Sequence, residues 1–177
     1  SNLWPEESAS AESSAELAAI AAAVADFKVS LDIRVEGMKS WLLTGEEPAG
    51  YRDRVENERR DLVKALESDA VKVSQTYNNK VVVVTTTHRA ATMIGYAHAP
   101  VVVALNPEFS FQGSEPHRKF TICQFTGEYM DLKSVLSDLS ALENGWGGSP
   151  TIGGSPQGVS SKLTVQQVAE IVIKHLK

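Results

Sequence analysis

The sequence predicts an α/β protein: a mixed central sheet flanked by helices, preceded by an N-terminal helical extension. Three observations carry this. From Leu17 the apolar residues fall in alternating steps of three and four, the spacing of one helix face. From Ala70 the period drops to two, as in a strand. Two valine runs, Val81 to Val84 and Val101 to Val103, then read as strands buried on both faces.

Each element has its own reason. Residues 1–16 are rich in Ser, Ala and Glu, with Pro5 and Trp4, and are expected to be a disordered leader or tag remnant. The start at Ser1-Asn2 without methionine reads as a tag remnant on a piece of something longer. A helix over Leu17–Met38 carries a stripe at 17, 20, 24, 27, 31, 35 and 38. That stripe either docks on its own domain or forms a homodimer seam through residues 17–43. Residues 17–50 thus form a helical extension, broken at Thr44–Gly50. A second helix runs from Tyr51 to Leu66, its charged run Arg52–Arg60 a solvated face.

The α/β part, residues 51–177, continues with a hairpin turning at Asn78-Asn79. A short helix over Ala90–Ala97 and a strand from Val101 to Leu105 follow, so a right-handed βαβ crossover is expected. Lys119–Phe125 is a further strand. Asp131 caps a helix over Leu132–Leu142, and the last helix spans Thr164–Leu176.

Composition excludes several function classes. No apolar run approaches the ~20 residues that span a bilayer, so no membrane partner is expected. One cysteine, Cys123, rules out an internal disulfide and fits a cytoplasmic location. Residues 1–50 hold nine acidic and three basic side chains, the remainder thirteen and fourteen. Bulk charge therefore does not hold a long duplex here.

The densest chemical signal is Gly145–Gly158, which puts six of the twelve glycines and two prolines into fourteen residues. Glycine admits close approach to main-chain N–H groups, and successive N–H groups can form an anion-binding nest. The loop is either such a binding surface or a tight crossover. Neither a Gly-Lys-Ser/Thr phosphate loop nor a Gly-x-Gly-x-x-Gly fingerprint is present.

Four segments in this order, Val81–Val84, Val101–Ala104, Lys119-Phe120-Thr121-Ile122-Cys123 and Gly147-Gly148-Ser149-Pro150-Thr151-Ile152-Gly153, resemble the C-terminal, DHH-associated domain of the DHH phosphoesterases. That superfamily includes RecJ-like exonucleases, nanoRNases, cyclic-dinucleotide phosphodiesterases and exopolyphosphatases. The resemblance implies a domain that binds substrate for a phosphoesterase centre holding manganese or magnesium in a separate N-terminal domain. It implies as partners that catalytic domain and a phosphate-bearing small molecule or single-stranded oligonucleotide. No Asp-His-His occurs here, so no catalytic residue, metal ligand or cofactor is expected in this chain. The family's loop histidine falls on Ser149 and its strand arginine on Cys123, beside Gln124. Neutral donors bind phosphate about half as strongly as charged ones. If these replacements have ended the loop's service to an active site, the domain is instead a non-catalytic assembly or regulatory module.

The candidate phosphate contacts are Gly147, Gly148, Ser149, Gly153, Gly154, Ser155, Thr121, Arg118 and Lys119, with His88 and Arg89. The last two end a buried strand, where ligands of open α/β sheets bind, or they cap it. His98 reads as a turn residue. His117-Arg118-Lys119 either guards a sheet edge or contacts phosphate. Cys123 reads as a buried small hydrophobe. Trp146 either stacks on a base or anchors the loop.

Overall fold

The computed structural model describes residues 11–111 and 113–177. It divides into two compact units, one ending at Lys64 and the other Ala65–Lys177. The elements begin with α1 (Ala11–Val24), α2 (Leu31–Thr44) and α3 (Tyr51–Glu67). Residues 1–10 of the expected leader, Trp4 and Pro5 among them, lie outside the described residues. Ala11–Glu16 belong to α1.

The single helix expected over Leu17–Met38 is two helices. Asp26 sits in the break, and its carboxylate accepts the Lys28 amide at 3.1 Å, the Tyr51 hydroxyl at 3.2 Å and Arg54 Nη1 at 2.8 Å. Short acidic side chains offer the backbone such alternatives to the helical ladder. Arg34 donates to the carbonyl oxygen of Val24 at 2.6 Å, satisfying a carbonyl at the end of α1, and to that of Val29 in the break at 3.1 Å. The stripe is split accordingly. Ile20 is buried, whereas Leu17, Phe27, Leu31 and Val35 are exposed.

The second unit follows the expected order. Strands β1 (Val71–Tyr77) and β2 (Val81–Thr86) form an antiparallel hairpin. Asn78 and Asn79 turn it with φ of 50° and 56°, the two positive values of a type I′ turn. Helix α4 (Ala91–Tyr96) leads to β3 (Val101–Phe109), which lies parallel to β2 with Val83 opposite Val103. Gly95 permits that packing, because a Cβ there would lie 2.3 Å from Val102 Cγ1. Strand β4 (His117–Gln124) pairs antiparallel with β3. Helix α5 (Leu132–Leu142) begins at Asp131, whose carboxylate accepts the Ser134 amide at 3.3 Å.

The glycine-rich segment is not an irregular loop. It makes β5 (Gly147–Gly148) and β6 (Ile152–Gly154), a small hairpin added to β4, giving the order β1-β2-β3-β4-β6-β5. Helix α6 (Val165–Lys174) closes the fold behind a capping box of Thr164 and Gln167.

The sheet has two faces. On one, Val81, Val83, Val101, Val103, Phe120 and Ile122 pack with residues of α5 and α6, Val135, Leu139, Val168 and Val172, all fully buried. Each such side chain contributes roughly 1.5–3 kcal/mol. Side chains alternate along a strand, so Lys119, Thr121 and Cys123 share the opposite face. Helix α4 covers β2 and β3 there. No described helix is long and apolar enough to cross a membrane.

Candidate functional site

Beyond α4 the second face is open. A hollow of about 440 Å³ lies there, lined by Lys119 and Thr121 of β4, the β5–β6 hairpin, and the strap Ser155-Pro156-Gln157. Register explains the grouping: Thr121 pairs with Gly154, and Gly154 with Gly147. Two adjacent strands thus oppose Thr121 with residues that lack side chains, and the floor stays low.

Lys119 is the hollow's cation. Burial pushes its ammonium pKa below the ordinary 10.5. Its Nζ donates to the Ser155 carbonyl at 2.7 Å and lies 5.6 Å from the Phe109 ring centroid. Among the described residues no carboxylate forms a salt bridge with it.

The glycines divide by role. At Gly148 a Cβ would lie 2.2 Å from the Ile152 carbonyl oxygen, and at Gly154 2.4 Å from that of Phe120. At Gly153 it would meet Leu136 Cδ1 at 2.8 Å. These three are required by strand and helix packing. Gly147 has nothing within 4 Å of its would-be Cβ and so presents bare backbone.

The remaining candidates separate in the same way. The Ser149 amide donates to the Ile152 carbonyl at 2.7 Å, closing the hairpin turn. Ser155 is buried, and its hydroxyl accepts the Phe120 amide at 3.0 Å, holding the strap to β4. Arg118 points to the other face, where Nη1 donates to the carbonyls of Leu163 at 2.5 Å and Ser161 at 3.3 Å. The geometry therefore groups Lys119, Thr121, Gly147 and Gly154, and leaves Arg118 with the core.

His88 and Arg89 lie in the turn that follows β2, whose strand is two places from β4 in the sheet, and neither lines the hollow. His88 Nδ1 accepts the Ala90 amide at 3.1 Å, a local bond within the turn between β2 and α4. His98 is exposed beside Pro100. His117 corrects the expectation of an edge guard or phosphate contact: β4 is internal to the sheet, and His117 is buried. Its Nε2 accepts the Gly158 amide at 3.0 Å, so Nδ1 carries the proton, donated to the Glu115 carbonyl at 3.1 Å. Trp146 is an anchor. It stacks on Phe120 at 6.0 Å and donates to Glu143 at 3.2 Å. Cys123 is buried as expected, with its thiol pKa raised by burial and its sulfur paired with Tyr96.

Two polar residues organise the site: Gln124, noted in the sequence only as the neighbour of Cys123, and Glu143, which the sequence reading did not single out. Gln124 is buried; its amide nitrogen donates to the carbonyls of Pro150 and Met130, and its oxygen accepts the amides of Tyr129 and Met130. Glu143 accepts from Trp146, from the Ser161 hydroxyl and from the Lys162 amide. The sequence neighbourhood of Glu143 carries no periodicity or motif that marks it, and that of Gln124 marks a strand but not the bonds its side chain makes.

A second hollow, also about 440 Å³, lies across the hairpin and shares Gly147 and Gly148. Asp131 lines it, and Lys133 and Lys177 are its cations. Among the described residues no three His, Cys, Asp or Glu side chains converge. The donor set present does not fit a two-metal centre.

No family model matches the chain, and no curated protein matches it. Among solved structures it is similar to PggH, a pGpG-specific phosphodiesterase from Vibrio cholerae, at 13% identity and a TM-score of 0.47. The match covers 89% of this chain and 56% of that one. The chain therefore spans little more than half the length of that structure.

Proposed function

We propose that Ala65–Lys177 is the substrate-binding domain of a DHH-type phosphoesterase, and that it holds a phosphate group of a nucleotide or short oligonucleotide in the hollow over Gly147 and Gly154. The single observation that carries this is Lys119. A partly buried ammonium with no carboxylate partner among the described residues is costly in the free protein and favourable with a dianion present. Thr121 supplies a hydroxyl on the same face, and Gly147 leaves the backbone approachable. The Lys-x-Thr strand and Gly-Gly hairpin are the motifs of the resemblance, and both line this hollow.

A second reading, a non-catalytic assembly or regulatory module, draws on Cys123 and Ser149. The position of the family's arginine holds a buried thiol capped by Tyr96, and Ser149 is engaged in its own turn. The open face then binds with one cation where the family uses more.

Titration of the isotope-labelled chain with inorganic phosphate and a nucleoside monophosphate, followed by nuclear magnetic resonance, tests the proposal. Shifts are expected at Lys119, Thr121, Gly147 and Gly154, and are lost in Lys119→Gln. Shifts centred elsewhere, or none at millimolar ligand, refute it.

A further inference from the structure

Helix α2 presents apolar surface that it does not bury. None of its 14 residues is buried, while Leu31, Val35 and Leu42 are 63%, 41% and 67% exposed. With the half-buried Met38 they fall at steps of four, three and four along the helix, a continuous stripe. The side of α2 turned to α1 is different: Arg34 caps the carbonyl end of α1, and Trp41 donates to Glu16 at 2.6 Å. Isolated exposed apolar residues are ordinary on a surface, whereas a contiguous stripe marks an interaction face.

The charges beside the stripe specify its occupant. In heptad terms Leu31 and Met38 are d positions and Val35 and Leu42 are a positions. Asp32 and Lys39 then fall at e, and Arg34 and Trp41 at g. A parallel pair of these helices sets Arg34 against Lys39 of the second copy, a repulsion repeated by symmetry. An antiparallel pair sets e against e, so Asp32 faces Lys39 of the second copy, again twice. The same register places Leu31 on Leu42 and Val35 on Met38. Lys39 is available for this: its contact with Glu36 joins two side chains that are 60% and 70% exposed, a weak class of ion pair.

We infer that a second copy of this chain docks on the α2 stripe in antiparallel orientation, with the Asp32–Lys39 pair setting the direction. The inference concerns the helical unit and is independent of what the hollow over Gly147 binds. An interface this short forms a weak, concentration-dependent dimer.

Sedimentation velocity on the full chain, from micromolar to hundreds of micromolar, provides the test. The wild type is expected to self-associate. Asp32→Lys and Lys39→Asp should each weaken the dimer about tenfold, since each converts two attractive contacts into two repulsive ones. Mixing the two variants should restore association as a heterodimer, and combining both substitutions in one chain should restore the homodimer. Circular dichroism on each variant separates lost association from lost helix. A wild type that stays monomeric throughout overturns the inference, as does self-association indifferent to these charges.

Discussion

Lys119 Nζ sits 2.7 Å from the carbonyl oxygen of Ser155, so the cation of the hollow also ties down the strap that forms its rim. The same strap is fixed by the Ser155 hydroxyl, which accepts the Phe120 amide. Ser155 therefore acts through position, and a ligand would meet a preorganised ammonium. Burial holds the Lys119 pKa below 10.5. The charged form is required for binding a phosphate, so affinity should fall as the pH rises through that lowered value. Isothermal titration with inorganic phosphate from neutral to alkaline pH measures this. Lys119→Arg, whose guanidinium stays charged, should flatten the profile.

Gln124 ties the hairpin turn to the start of α5 through four hydrogen bonds. Gln124→Leu keeps the volume but leaves the Tyr129 and Met130 amides without that acceptor. The expected loss is about 2–4 kcal/mol, because unsatisfied buried groups cost ~1–3 kcal/mol each. Urea unfolding measures it.

These two residues show where the sequence could be read and where it could not. Val81 to Val84 and Val101 to Val103 declared central strands because burial on both faces demands unbroken apolar runs, and all are fully buried. Asp131 and Thr164 declared helix starts because capping is a local hydrogen bond. The glycines were legible as unusual, but their purpose was not. Whether a missing Cβ serves a ligand or a neighbouring strand depends on Ile152 and Phe120 carbonyls that approach only in the fold. Arg118 and Lys119, one residue apart, point to opposite faces, and only the strand register assigns them. The break at Asp26 escaped the periodicity because its partners Tyr51 and Arg54 lie 25 and 28 residues away.

Asp138 accepts from Lys174 Nζ at 2.8 Å and from His175 Nε2 at 2.9 Å. The Lys174 hydrogen bond, then that from His175, lowers its carboxyl pKa below 3.8. A depressed carboxyl stabilises the fold above its unfolded value, and that stabilisation is lost as the pH falls through the folded value. Asp138→Asn should therefore lower the Tm at neutral pH, with the difference closing below pH 3.8. Thermal melts at stepped pH check this.

The chain should not turn over phosphodiesters when manganese is added. Among the described residues no cluster of three metal-ligating side chains exists, and phosphoester hydrolysis of the two-metal kind needs ions about 3.5–4 Å apart held by such clusters. The assay is hydrolysis of a generic phosphodiester and of short oligonucleotides. Turnover that survives repurification and disappears in Lys119→Gln would show that catalytic groups are present here.

Gly147 and Gly148 are neighbours in one strand and should respond oppositely to the same substitution. At Gly148 an added methyl would lie 2.2 Å from the Ile152 carbonyl oxygen, a backbone atom that cannot rotate away. Gly148→Ala should cost about 1–3 kcal/mol, as overpacking does, and should open the hairpin. At Gly147 the methyl meets nothing within 4 Å, so Gly147→Ala should leave stability unchanged or raise it by ~0.4–1 kcal/mol through the unfolded state. If the hollow binds phosphate, the same Gly147→Ala methyl obstructs backbone approach and phosphate affinity should drop while the fold persists. Denaturant unfolding and phosphate titration, run on both variants, separate the outcomes. Unchanged affinity in a stable Gly147→Ala protein would place the ligand elsewhere, and leave only the packing roles of Gly148, Gly153 and Gly154.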